Sequence, residues 1–322
     1  MNVASSIEQQ SVSTVLNESQ SSNSLTLNER ILGYLALTKP RIIELLLVTT
    51  IPTMFLAAKG FPSLSLVIWT VVGGALAAGG ANVLNCYLDR DIDALMHRTA
   101  NRPSVTGQIS GRSMITFGLL LSICAFATLW TTVNLLSAWL ALVAIVFYVV
   151  GYTLLLKRRT DQNIVWGGAA GCMPVLIGWS AVTNSLSLTP LMLFLIIFFW
   201  TPPHYWPLSI RYREDYERAE VPMLPVTSDA SSVARQIIWY SWTLTGVSLL
   251  LIPIARMSIA YGVVATLLAG SFLYEAYALQ ARVRRTEDDV RAMRLFHWSI
   301  TYLSLLFLMI GLDPFIVQFI NK

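Results

Sequence analysis

The stretch Ser65-Leu-Val-Ile-Trp-Thr-Val-Val-Gly-Gly-Ala-Leu-Ala-Ala-Gly-Gly-Ala-Asn82-Val-Leu-Asn85-Cys-Tyr-Leu88, followed at once by Asp89-Arg-Asp-Ile-Asp93, decides the fold. Its first part carries no charge and is long enough for a bilayer-spanning helix, which needs about 20 mostly apolar residues. Comparable runs recur at 41–58, 112–132, 136–156, 163–183, 189–208, 233–253, 257–280 and 295–319, which with 65–88 makes nine. Of the 322 residues 55% are apolar and 12% charged, and the mean hydropathy is +0.61. A soluble domain carries about twice that share of charge. A secreted disulfide scaffold, a disordered chain and an ordinary cytosolic enzyme are excluded. Membrane β-strands would show short alternating segments, so the expected fold is all-α, a polytopic bundle of about nine transmembrane helices.

Cys86, Cys124 and Cys172 share no close spacing and lie in or beside apolar runs, so they read as small packing residues. The residues up to about 36 are rich in Ser, Gln and Asn and read as a disordered polar tail, with a single transmembrane domain over 37–322. This tail lacks the arginines of a mitochondrial presequence and the apolar core of a signal peptide. Lys and Arg are divided 19 to 3 between the two sets of loops. The positive-inside rule then places the N-terminus in the cytoplasm and the C-terminus on the periplasmic side of a bacterial inner membrane. Two long loops, 89–111 and 209–232, fall on the basic side, with acidic clusters about 125 residues apart. Their spacing suggests two related halves and a ninth helix.

Asn85, Asp89 and Asp93 are spaced four apart, which on a helix stacks three oxygen-bearing side chains on one face. Stacked carboxylates repel, so a cation belongs among them. Hard oxygen ligands favour Mg²⁺, which keeps water and substrate phosphate among its ligands. Nearby loops supply Arg98, Arg102, Lys157 and Arg158, and Arg213 stands in a second acidic cluster. Guanidinium groups hold phosphate oxygens bidentately and Lys acts as a point charge. Asp215, from that cluster, is a further metal-ligand candidate opposite Asp89 and Asp93. The bland alternative is a solvated acidic helix end, and it is disfavoured because Asn82 and Asn85 carry the polar face into apolar sequence. Asn85, Asp89, Asp93 and Asp215 are therefore the candidate catalytic and metal-binding set.

Such parts describe an enzyme that handles a diphosphate beside a lipid phase. Ionising an allylic C–O bond requires stabilisation of the leaving anion by preorganised cations. A secondary transporter is the rival from another class, but its ionisable residues would lie near the bilayer midplane. A carrier or assembly protein without catalysis would not require the ladder. Nothing points to nucleic acid.

The Asn85-x-x-x-Asp89-x-x-x-Asp93 ladder on a nine-helix chain resembles the UbiA superfamily of intramembrane prenyltransferases. Further strings resemble its haem-farnesylating branch. They are Leu37-Thr-Lys39-Pro40-Arg41, Met96-x-Arg98-Thr99, Tyr152-Thr-Leu-Leu-Leu-Lys157-Arg158, Asn163-Ile-Val-x-Gly-Gly, Trp200-Thr-Pro202-Pro203-His204-Tyr-Trp and Asp215-Tyr-x-x-Ala-x-x-Pro222-Met-Leu-Pro225. One departure is Ala219, which stands where the superfamily's second motif often has its second Asp.

The resemblance implies transfer of farnesyl from farnesyl diphosphate, with addition of water, to the 2-vinyl group of haem b, giving haem O. Haem b is then a substrate, Mg²⁺ the cofactor, and haem A synthase or terminal oxidase assembly proteins the downstream partners. An aromatic acceptor of the quinone-precursor type is the nearest rival within the class. His204, after Pro202-Pro203, is the haem-binding candidate, where a broken helix would aim its ring.

Overall fold

The computed structural model describes residues 26–287 and 289–320. Every regular element among them is helical. The first helix, α1 (Leu27–Thr38), starts on a capping box. Thr26 Oγ1 accepts from the Glu29 N–H while the Glu29 carboxylate accepts from the Thr26 N–H, so two of the helix's orphan donors are satisfied. The polar tail expected to extend to residue 36 is thereby shortened, because residues 27–36 are already helical. The rest of that expectation lies outside the described residues.

Nine helices long and apolar enough to cross a membrane follow among the described residues. They are α2 (Pro40–Ala58), α3 (Leu64–Leu88), α5 (Gly111–Thr132), α6 (Leu135–Leu156), α7 (Asn163–Thr183), α8 (Leu188–Arg211), α11 (Ala230–Ala255), α12 (Ile259–Arg284) and α13 (Ala292–Ile320). Short helices α4 (Arg90–Leu95), α9 (Arg213–Arg218) and α10 (Leu224–Thr227) lie in the two long loops. Side chains such as Ile123, Trp239 and Leu267 are exposed on the outside of the bundle, while Leu193, Val233 and Leu306 fill its inside. Apolar surface facing both ways is what a lipid-embedded bundle requires.

The packing repeats. Helix α3 lies against α2 and α5, and α5 against α6. In the same order α8 lies against α7 and α11, and α11 against α12. The leading helices α2 and α7 touch each other, and α13 closes the assembly against α2, α8 and α12. This is the pattern of two halves and a ninth helix. Where α3 crosses α5, a Cβ on Gly80 would stand 2.9 Å from the Gly118 carbonyl oxygen, so the backbones approach only because the residue is glycine.

Helix α6 changes its winding. Leu135–Val146 is α-helical, and Phe147–Leu156 is a π-helix in which the Lys157 N–H reaches back five residues to Tyr152 O at 2.8 Å. Such segments are rare and are common at functional sites. Helix α8 is continuous through Pro202, Pro203 and Pro207, so the break expected there is absent.

Candidate active site

The ladder sits where α3 gives way to α4. Asp89 is the junction residue, and its N–H donates to Asn85 O at 2.9 Å while its own carbonyl accepts from the Asp93 N–H at 2.8 Å. The i,i+4 register therefore continues across the junction, and the three side chains stay in line. All three are buried, Asp89 to 1% exposure and Asp93 to 2%. Buried carboxylates must be compensated by charge and hydrogen bonds.

The compensation comes from three other segments. Lys39 Nζ donates to Asn85 Oδ1 at 2.7 Å. Asn85 Nδ2 donates to Asp89 Oδ2 at 2.7 Å and to Thr153 Oγ1 at 3.0 Å. Lys157 Nζ contacts the same Asp89 oxygen at 2.5 Å, and Arg102 grips Asp93 Oδ2 at 2.6 Å. The cations anticipated between the stacked carboxylates are thus partly the protein's own. Arg158 makes a bidentate pair with the exposed Asp91, 2.6 Å on each arm, and this pairing holds the Asp91 carboxyl down at about 2. Its guanidinium also stands 3.8 Å from Asp89 Oδ1.

Local structure explains how these groups converge. Lys39 has φ 54° and ψ 65°, a left-handed conformation between α1 and α2. Strain of this kind costs about 1–2 kcal/mol and is tolerated where function requires it. Asn82 Nδ2 steadies the junction by donating to Thr38 O at 2.9 Å. The π-helix presents Thr153 and Lys157 to the ladder, and buried Asn163 Nδ2 donates to Lys157 O at 3.1 Å.

The second acidic cluster reaches the loop after α4. Asp215 is buried, and its two oxygens accept from the backbone N–H groups of His97 and Arg98, at 3.2 and 3.4 Å. It fastens the loop after α4 instead of standing in the ladder. No group of three or more acidic, His or Cys side chains converges on a common point among the described residues. Arg213 is exposed and makes no ion pair within the described residues. The Arg98 guanidinium donates to the Tyr216 hydroxyl at 3.3 Å and lies 5.3 Å above the Tyr212 ring. Tyr216 and Tyr205 share a 3.0 Å hydrogen bond, and burial raises the Tyr216 phenol well above its ordinary value, so it stays protonated.

His204 stacks between Trp200, at 4.1 Å between ring centres, and Phe296, at 4.7 Å. Ser299 Oγ donates to Phe296 O at 2.6 Å, so it accepts from His204 Nδ1–H across 2.7 Å. That tautomer leaves Nε2 with a free lone pair. No hydrogen bond joins His204 to the ladder among the described residues.

Next to the ladder an apolar cavity of about 140 Å³ runs between α2, α3, α6 and α7. Asn82 lies at one part of its lining, with Leu46, Gly74, Ala81, Tyr148 and Gly171 among the rest. A charged, oxygen-rich head joined to an apolar cleft suits a molecule with an anionic end and a hydrocarbon tail.

Whether a divalent ion fits can be judged from the donors. Asp89 Oδ1 is buried and has no hydrogen-bond partner, an unusual state for a carboxylate oxygen. Together with the Asp93 carboxylate and the Asn85 amide oxygen, which accepts from Lys39, it offers oxygen donors of the kind Mg²⁺ takes. The Asp215 oxygens are engaged by backbone N–H groups. Reading the sequence alone missed Lys39, Thr153, Tyr205 and Tyr216 as parts of the site. Lys39 had one signal, a lysine immediately before proline between two helical runs.

Comparison with known proteins agrees with this architecture. A solved structure described under "Digeranylgeranylglyceryl phosphate synthase in membranes" superposes with a TM-score of 0.73 at 15% identity, covering 89% of this chain and 99% of that one. A UbiA homolog from Archaeoglobus fulgidus bound to DMAPP and Mg²⁺ gives 0.65 at 18% identity, covering 86% and 98%. At those identities the likeness is one of fold. In sequence, the chain is 56% identical over 304 residues to a protein of Streptomyces avermitilis named protoheme IX farnesyltransferase, covering 94% of this chain and 100% of that one. A protein of the same name from Paenarthrobacter aurescens is 53% identical, covering 94% and 95%. The model of the UbiA prenyltransferase family matches residues 46–300, a span that takes in the ladder, Lys157 and most of the cavity lining, and the chain belongs to that family.

Proposed function

We propose that this chain transfers the farnesyl group of farnesyl diphosphate to the 2-vinyl group of haem b, with addition of water, giving haem O and diphosphate. The observation that carries the reading is the buried Asn85–Asp89–Asp93 line, ringed by Lys39, Lys157 and Arg102 and set against an apolar cavity. The haem acceptor rests on the name borne by relatives more than half identical over most of the chain.

The residues divide the work. Lys157, Arg158, Arg102 and Arg98 draw negative charge from the diphosphate as the allylic C–O bond breaks and its electron pair leaves with oxygen. Asn85, Asp89 and Asp93 would hold Mg²⁺, which supplies further charge neutralisation on the diphosphate. The cavity walls keep water from the farnesyl cation while the vinyl π-electrons attack it. Water then adds to the cation formed on the porphyrin side chain and releases a proton, which balances the reaction. His204 Nε2, held by its Ser299 hydrogen bond, is assigned to the haem iron. Asp215 serves as a fastener for the Arg98 loop, and Arg213 as a peripheral cation.

The orientation proposed has the ladder at the cytoplasmic face of the bacterial inner membrane and the C-terminus on the periplasmic side, supported by the 19 to 3 division of basic residues. The test supplies membranes carrying the chain with haem b, farnesyl diphosphate and Mg²⁺ and weighs the extracted pigment by mass spectrometry. The expected product is haem b plus one farnesyl and one hydroxyl group. Unconsumed haem, with farnesyl transferred instead to an added phenolic acceptor, overturns the choice of acceptor.

A further inference from the structure

Outside this site, a groove of about 480 Å³ opens between α12 and α13, lined in part by Tyr274, Glu275, Arg294, His297 and Trp298. Glu275 is 7% exposed. One of its oxygens meets Arg294 at 2.7 Å, whereas the other, Oε2, is buried without a partner. Trp298 Nε1 is buried and unpartnered as well. Two residues of the lining thus carry an unpartnered polar atom, one calling for a donor and the other for an acceptor. An ionisable side chain held in apolar surroundings is costly, and it marks a functional position by default.

The surroundings narrow the ligand. Arg294 stands immediately before the apolar run of α13, at the level where headgroups meet hydrocarbon. Tyr274 is exposed on the outside of the bundle, and further along the same two helices Leu267, Leu305 and Leu308 are exposed too. A ligand here has acyl chains to lay on those leucines. Its polar end must donate to Glu275 Oε2 and accept from Trp298 Nε1 and Arg294. An anionic porphyrin brings acceptors but no donor for the carboxylate, and a lone metal ion finds a single acid.

We infer that the groove is a specific site for a phosphoethanolamine lipid. The primary ammonium bonds Glu275 Oε2, and the phosphate bonds Arg294 and Trp298 Nε1. Charge-assisted bonds of this type are the strong ones. The proposal is independent of the prenyl-transfer reading, since none of these residues belongs to the ladder.

Phosphatidylcholine provides the discriminating control, because its trimethylated ammonium has the same charge but no N–H to donate. The full chain, purified in detergent, is exposed to equal amounts of phosphatidylethanolamine, phosphatidylcholine and phosphatidylglycerol, and retained lipid is read by native mass spectrometry. Phosphatidylethanolamine should be retained about tenfold over the other two, the factor expected for one hydrogen bond to a charged group. Glu275→Gln should abolish the preference. Trp298→Phe, which keeps an aromatic side chain but loses the indole N–H with part of the ring system, should lower phosphatidylethanolamine retention severalfold and serves if the first variant does not fold. Equal retention of the three lipids by the unaltered chain, or a preference that survives Glu275→Gln, overturns the inference. Retention unaffected by Trp298→Phe overturns the phosphate contact.

Discussion

Gly74 offers the sharpest test of where the hydrocarbon lies. It lines the cavity, and a Cβ added to it would meet nothing within 4 Å. Packing does not demand a glycine there. Eleven residues separate it from Asn85, which along a helix is about 16 Å. That depth is the region of the last isoprene unit of an extended farnesyl chain, and a geranyl chain stops short of it. In Gly74→Leu, four added carbons occupy this space. Burying the five carbons of an isoprene unit is worth up to about 4 kcal/mol at ~0.8 kcal/mol per carbon. Expelling half of it costs about 2 kcal/mol, or roughly 30-fold. The helix itself gains roughly 0.8 kcal/mol from losing a glycine, so thermal stability should be unchanged or higher. The assay is the ratio of kcat/KM for farnesyl against geranyl diphosphate in proteoliposomes, with product weighed by mass spectrometry. The ratio should fall by about 30-fold relative to the unaltered chain. An unaltered ratio in a folded, active variant refutes the placement of the prenyl chain in this cavity.

Four further outcomes are expected. Lys157→Met removes the main partner of a carboxylate that is 1% exposed, so it should cost about 3 kcal/mol in thermal unfolding as well as activity; adding Asp89→Asn should restore stability and leave activity lost. Arg102→Gln should raise KM for the prenyl diphosphate about tenfold, the worth of one charged hydrogen bond, and an unchanged KM returns Arg102 to a purely structural role. Asp91 is held at about 2 by Arg158, so the pair's contribution is complete above the unfolded carboxyl value near 3.9 and fades as pH falls toward 2. For that exposed pair, Asp91→Asn should lower the melting temperature by an amount worth at most about 1 kcal/mol, constant from pH 5 to 8 and shrinking below pH 4. His204→Ala should abolish haem retention, followed by Soret absorbance after gel filtration, while prenyl diphosphate binding persists.

The helices were legible because lipid imposes a crude rule. A span must be long and apolar, and the ends of each run read from the sequence lie within four residues of the observed helix ends. The ladder was legible for a similar reason, since spacing by four on a helix fixes a common face whatever surrounds it. Lys39 and Thr153 were not legible. They reach Asn85 from 46 and 68 residues away, and contacts at that separation depend on helix packing. The backbone partners of Asp215 were not legible either, because an acid beside arginines gives no hint of N–H groups from another loop. The start of α1 was readable in principle from Thr26-x-x-Glu29, but the polar composition around it hid the capping box.

The π-helix at Phe147–Leu156 bears on how relatives are aligned. An α-helix advances about 100° per residue, whereas a winding of roughly 4.4 residues per turn advances about 80°. Accumulated over these ten residues, the lag approaches half a revolution. Lys157 therefore arrives in phase with Asp89 only because the segment is wound wide, and ordinary winding would send it to the opposite side. A relative with one residue fewer here would need to take its cation from a neighbouring position, as Arg158 or Arg159 stands in this chain. Where the gap is drawn in this segment decides which basic residue is counted as the counterpart.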